Sequence, residues 1–526
     1  MRRLSLAAAC VAAAALVGPS AAAGAVDPLS LVSGPSPFPP GCTTDPGAPG
    51  ATLYENAEVE PWVDQNPADP SNLIGVYQQD RWSNGGSHGN VTAVSRDGGR
   101  TWTRPTPPPF SRCAGGNAAN GGDYARASDP WVSLSPNGDA HQIALVVDHP
   151  TLGPTAVTVS SSRDGGSTWE PIRTLIRDVN GSKFFNDKES ITADPFRSGF
   201  VYATWDRLAS PTDLNDPNAP FFGPTYFSRS TDGGRTWSPA RNIYDPGLNS
   251  QTIANQIVVL PSGRLVDVFT LFKNGVTSVA TIYSNNRGRT WSKRARVVDL
   301  LGSVGVTDPR DGAPVRTGDI VPDVAVDPRP GTNNLYLVWQ DARFNGFERD
   351  QIAFSRSTNG GRTWSRPKRI SSNNSTQAFT ASVDVNGRGQ LAVTYYDFTF
   401  DTAASIPLET DYWATRSADR GRTFTARERI TPSSFDMRSA PFARGYFVGD
   451  YEGLTSVNRP FKSMFVQANN GNAANPTDVF STTIRGPIAG ARTAGSPSRT
   501  PSGLSVGRHA AGKPFNGKRR PYKVTR

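Results

Sequence analysis

The chain has 526 residues, with 51 Gly, 44 Pro, three Cys and four His, and a formal net charge of +10. Two thiols beyond the first residues and four scattered His exclude a zinc-type Cys/His centre. Ten of the 55 Lys and Arg lie in residues 485–526, which hold no Asp or Glu, and two more are Arg2 and Arg3, so the rest sets 43 basic against 45 acidic residues. A body this close to neutral argues against nucleic-acid binding.

In chain order, residues 1–25 are expected to be a secretory signal peptide. Arg2-Arg3 start it, Leu4 to Val17 is apolar, and Ala23-Gly24-Ala25 offers a cleavage site. No later run of about 18 apolar residues predicts a membrane span. Residues 26–53 form an N-terminal arm. In an exported protein the remaining pair, Cys42 and Cys113, is expected as a disulfide tying that arm to the linker after the first repeat.

Residues 54–484 repeat one pattern: a short apolar strand, a tight turn with Pro or Gly, a second apolar strand, a loop, a third strand, a box and a short fourth strand. The first strands are expected at 60–63, 129–132, 189–192, 257–260, 323–326 and 382–385, and the second at 73–77, 143–147, 201–205, 265–269, 335–339 and 391–395. A further unit at 448–484 has no box. The fold class predicted is all-β, a propeller of four-stranded antiparallel blades. Seven blades are favoured and six are the alternative. Residues 485–526 read as a basic disordered tail, or as a tether to anionic cell-wall polymer.

The boxes read Ser-x-Asp-x-Gly-x-Thr-Trp. They begin at Ser95, Ser162, Ser230, Ser284, Ser357 and Ser417, and the third position is Asp97, Asp164, Asp232, Asn286, Asn359 and Asp419. Asp or Asn closes a turn by bonding its own backbone. The Gly at the fifth position supplies a positive φ, whereas Arg287 and Arg420 stand at the fourth. Thr and the aromatic are expected to start a strand. This motif resembles the Asp-box (BNR) repeat of sialidase-superfamily propellers, which implies that the boxes are scaffold, away from the active site.

The start of the first strand and the end of the second share a face, the propeller mouth. There the sequence places Asp80-Arg81, Asp206-Arg207 and Asp341 with Arg343, together with Glu60, Arg126 with Asp129, Asp187-Lys188-Glu189, and Arg444 with Asp450-Tyr451-Glu452. Such charges also suit blade-to-blade ion pairs. The resemblance implies a secreted glycoside hydrolase acting on a terminal, acidic sugar. Arg81, Arg126, Arg207 and Arg343 would bind its carboxylate. Tyr451 would be the nucleophile, with Asp129 and Glu189 as acid or base. The Arg-Ile-Pro motif of sialidases is absent. Glu452 neighbours Tyr451, but adjacent strand residues face opposite ways. No cofactor is expected. A structural calcium is conceivable at Asp187, Asp194 or Asp213-Leu214-Asn215-Asp216. The alternative is a non-catalytic propeller binding glycan or protein at the cell surface.

Overall fold

The computed structural model describes residues 26–486, apart from 44, 46–49, 149–152 and 372–374. The expected signal peptide and the expected tail beyond 486 lie outside the described residues. Inner strands run over Leu53–Gln65, Arg126–Leu134, Phe184–Ala193, Ser250–Val259, Asp323–Val326, Ala378–Val385 and Gly453–Thr455. Each packs beside the next, and the last returns to the first. Each also pairs antiparallel with a second strand, and that with a third. The result is an all-β propeller whose core lies between successive sheets, where Val, Leu, Ile and aromatic side chains are buried. No helix among the described residues is long and apolar enough to cross a membrane.

Side chains of the inner strands stitch one unit to the next. Asp64 accepts from the Leu134 N–H at 2.8 Å, and Ser133 accepts from the Ala193 N–H at 3.1 Å. Thr192 donates to the Ile257 carbonyl at 2.7 Å, and Gln256 to that of Pro322 at 3.0 Å. Asp323 accepts from the Val383 N–H at 2.7 Å, and Asp384 from the Ser456 hydroxyl. Thr455 closes the circle by donating to Asp64 at 2.9 Å. A buried backbone group must find a partner, and here the neighbouring unit supplies it.

The unit without a box takes its outermost strand from the N-terminal arm. Ser30–Leu31 pairs antiparallel with Thr477–Ile484. The arm then crosses the first unit, and a Cys42–Cys113 disulfide fixes it there.

All six boxes fold alike. The Ser hydroxyl donates to the third residue and accepts from the fifth residue's N–H; in box two these distances are 2.8 and 2.9 Å. The third residue also accepts from the Thr N–H, at 2.9 Å in both box two and box five. The fifth Gly is required for a reason the turn alone does not give. At φ +76° in Gly288, an added Cβ would lie 2.5 Å from Phe227 of the preceding unit, and at Gly421 it would lie 2.4 Å from Phe354. The fourth residue is left-handed too, with Arg287 at φ 54° and Arg420 at 62°, but a side chain is accommodated there: Arg420 is exposed and Arg287 lies 5.3 Å from the Phe200 ring centroid. The expectation that Thr and the aromatic begin a strand is corrected. The outer strands start later, at Arg173–Asp178, Arg241–Tyr244 and Arg296–Leu300 for example, because the Thr is held in the turn by the third residue.

Candidate functional site

The inner strands begin upstream of the expected positions because each of five carries a bulge near the mouth. Two residues oppose one at Glu60-Pro61, Asp129-Pro130, Lys188-Glu189, Ala254-Asn255 and Thr380-Ala381. The first residue of each bulge is left-handed, with φ of 53°, 47°, 46°, 58° and 45° in that order. Such a backbone costs a non-glycine residue about 1–2 kcal/mol, and bulges re-aim side chains. Three successive bulges carry Glu60, Asp129 and Lys188, which the re-aiming turns onto one point.

Lys188 is the hub. Its Nζ lies 2.8 Å from Asp450, 3.0 Å from Asp129 and 3.2 Å from Glu60. Burial alone would strip its proton, but the carboxylates of Asp129 and Asp450 hold the ammonium well above its ordinary range. Burial likewise opposes ionisation of Asp450. Arg316 and Lys188 outweigh it and keep that carboxylate well below its usual range. The same contest leaves Asp129 lowered, through Lys188 and the Ser128 hydroxyl. Glu60 goes the other way: burial pushes it up to about 8 against the pull of Lys188.

Above this hub lies a recess of 60 Å³, lined among others by Arg81, Arg316, Arg444, Asp129, Asp187 and Lys188. A water needs only about 10–15 Å³ of such space, so the recess has room for a few waters or for one small charged group. Phe447 is shared by two guanidinium groups, Arg316 at 4.2 Å and Arg81 at 5.0 Å from its centroid. Burial and the charge of Arg316 lower Arg81 to about 10, and its buried Nε has no hydrogen-bond partner. Crowded cations with an unmet donor favour an incoming anion. Asp187, at the same recess, is raised to about 6 by burial and by the neighbouring charge of Asp129.

The expected site residues separate into four groups. Asp129 and Arg81 line the recess. Arg126 stands one wall behind it, buried and bonded to Asp45, the Asn84 side chain and the Gly85 carbonyl. Arg207 and Arg343 are not brought to the recess. Arg207 is held by Asp178 and lies 4.1 Å from the Phe184 ring centroid, and Arg343 is held by Asp341 and Asp299. These two answer to the blade-to-blade ion pairs the sequence also allowed.

Tyr451 and Glu189 lie beneath the hub. Tyr451 packs tilted against Trp131 and edge-on to Trp62, sits 5.6 Å under Lys188, and donates to the Pro130 carbonyl at 3.2 Å. Burial pushes its phenol well above 10. Glu189 is buried with neither oxygen bonded, and burial plus Asp129 raises it well above its usual range. Glu452 accepts from the Tyr396 hydroxyl at 2.8 Å, away from Tyr451.

Of the acids considered for calcium, Asp187 faces the mouth, whereas Asp194 accepts from the Phe196 N–H in the turn at the other end of the strand. Asp213 and Asp216 accept from Asn215 and Asn218 in turns of their own.

Arg316 escaped the sequence reading. It sits on Pro314–Arg316, a short strand inserted between units that pairs in parallel with Tyr446–Phe447. Nothing local announces that pairing. The bulges did leave a signal: Pro61 and Pro130 fall inside strands, where Pro marks an irregularity.

Fold and recess together define a box-repeat β-propeller with a blind, charged mouth. No family model matches the chain. A sialidase of Micromonospora viridifaciens is 29% identical over 184 residues, which are 31% of this chain and 28% of that protein. The match thus spans less than a third of that relative's length. Among solved structures, the Hadza microbial sialidase Hz136 aligns with a TM-score of 0.44 at 16% identity, over 79% of this chain and 74% of that one. The GH93 α-L-arabinofuranosidase of Fusarium graminearum in complex with arabinobiose gives 0.43 at 13%, over 88% and 98%. The NanB sialidase of Streptococcus pneumoniae gives 0.41 at 9%, over 83% and 94%.

Proposed function

We propose that this is an exported glycoside hydrolase that cleaves a terminal sugar bearing a carboxylate or similar anionic group. One observation carries the proposal. In a single recess lined by three Arg, two carboxyl groups are shifted in opposite directions, Asp187 up and Asp129 down, and such a split is what assigns acid and base roles. Asp187 holds its proton below about pH 6 and there serves as the general acid toward the leaving oxygen. Asp129 stays ionised beside Lys188 and serves as base or nucleophile. Arg81, Arg316 and Arg444 take the anionic substituent in the small recess, leaving the ring and the scissile bond at its rim. This reading replaces Tyr451 as nucleophile, since a buried phenol bonded to a carbonyl is poorly placed to attack.

The test is hydrolysis of a panel of fluorogenic glycosides: a sialoside, a glucuronide, a galacturonide and a neutral arabinofuranoside. An acidic member is expected to turn over. Asp187→Asn and Asp129→Asn should each lower kcat by about 10²–10⁴-fold, and Arg81→Lys should raise KM. With a raised acid, the rate should fall as pH rises through about 6. Turnover of the neutral sugar alone would remove the anion-binding role. No turnover at all would sink the enzyme reading.

A further inference from the structure

The opposite face carries a different chemistry. Basic side chains reach across each seam to the box turn of the next unit: Arg96 to the Asp164 carbonyl, Arg229 to that of Arg287, Arg356 to that of Arg420, and Lys368 to that of Gly421. In four boxes an Asp sits at the third position near these cations. In boxes four and five it is Asn286 and Asn359, whose amides donate to Thr290 and Thr363 at 2.8 and 2.7 Å. The turn is kept and its negative charge is gone.

At this seam lies a groove of 480 Å³, lined by Arg264, Arg362, Asn285, Asn333, Thr358 and Asn359, with Ser262. No carboxylate lines it. Its size falls within the range of small-ligand sites, about 300–1,000 Å³. Arg264 donates to Asn285 at 2.8 Å, and Arg296 to the Arg362 carbonyl at 3.2 Å. Arg264 and Arg296 lie 5.0 and 5.5 Å from the Tyr283 ring centroid, which fixes their planes. Partial burial and the charges of Arg362 and Arg296 depress Arg264. Two guanidinium groups with no carboxylate among the groove's lining residues, set among amide and hydroxyl side chains, make a surface that lacks one component, an anion carried on a polyhydroxylated body.

We infer that the groove between the fourth and fifth units, on the face away from the mouth, binds an acidic glycan segment through Arg264 and Arg362. The site is separate from the recess. It would hold the protein on an anionic polysaccharide while the mouth works on chain ends.

The experiment is calorimetric titration of the full chain with heparin as the sulfated probe, polygalacturonate as the carboxylated probe and dextran as the neutral one. The Lys and Arg beyond residue 486 (Arg492, Arg499, Arg508, Lys513, Lys518, Arg519, Arg520, Lys523 and Arg526) are replaced by Ser throughout, so that the tail does not mask the groove. Binding of heparin or polygalacturonate is expected, and the stronger probe identifies the anion. Arg264→Ala with Arg362→Ala should weaken it roughly tenfold. Asn359→Asp should weaken it as well, and since Asp is the residue of four other boxes, this variant keeps the turn. An unchanged affinity in both variants, equal binding of dextran, or no binding of either polyanion would overturn the inference.

Discussion

At the residue scale, the charged hub shows how one cation sets the protonation of its surroundings. Removing one partner of a buried ionic cluster costs about 3–5 kcal/mol, because the remaining charges stay buried. Lys188→Met is therefore expected to destabilise the fold strongly, since Asp129 and Asp450 lose their common counter-ion. Glu60→Gln should be nearly silent at pH 7, because a carboxyl raised to about 8 is already neutral there. Thermal unfolding of both variants at pH 7 checks the pair. Equal losses would mean that Glu60 is ionised and the balance is misread. Lys188 and Asp187 were visible in the sequence as part of a charged run. Their convergence was not, because it depends on left-handed backbone at Glu60, Asp129 and Lys188 that no glycine announces.

At the element scale, the box is a turn whose fourth and fifth positions look alike and behave differently. Gly288→Ala would force a methyl against Phe227 in a left-handed backbone, and should cost about 1–3 kcal/mol. Gly98→Asn should cost less than about 1 kcal/mol, because Asn tolerates this backbone. The nearest atom to a Cβ there is the Lys462 Nζ at 3.8 Å. Denaturant titration separates the two; a Gly98 variant as unstable as the Gly288 variant would refute the distinction. The turn was fully legible, since its bonds are local. The reach of the fifth Gly to the preceding unit was not, since Phe227 is 61 positions away in the chain.

At the scale of the whole molecule, the ring is closed partly by carboxyl groups that prefer to be neutral. Burial raises Asp64 to about 6, and Asp323 and Asp384 to about 7. For a group raised on folding, the contribution is complete below the unfolded value near 4 and is lost as pH rises through the folded one. The melting temperature should therefore climb as pH is lowered from 8 to 5. Asp129 and Asp450, which are lowered, oppose this only at more acidic pH. Calorimetry across that range decides it. A melting temperature that falls from pH 8 to pH 5 would show that the ring carboxyls are better bonded as anions.

By itself the sequence determined the repeat, the all-β units, the box turns and the Cys42–Cys113 pairing, because each follows from spacing within a few residues or from there being two thiols to pair. It also located the mouth and its acids, because strand alternation assigns faces. Only the tertiary structure decided which arginines meet. Arg81 and Arg316 share Phe447, while Arg207 and Arg343 are captured by nearby aspartates. The physical reason is reach. A guanidinium on a long side chain settles on the first carboxylate or ring it meets, and that partner comes from close by in the chain for Arg207 and Arg343 but from far along it, at Phe447, for Arg81 and Arg316.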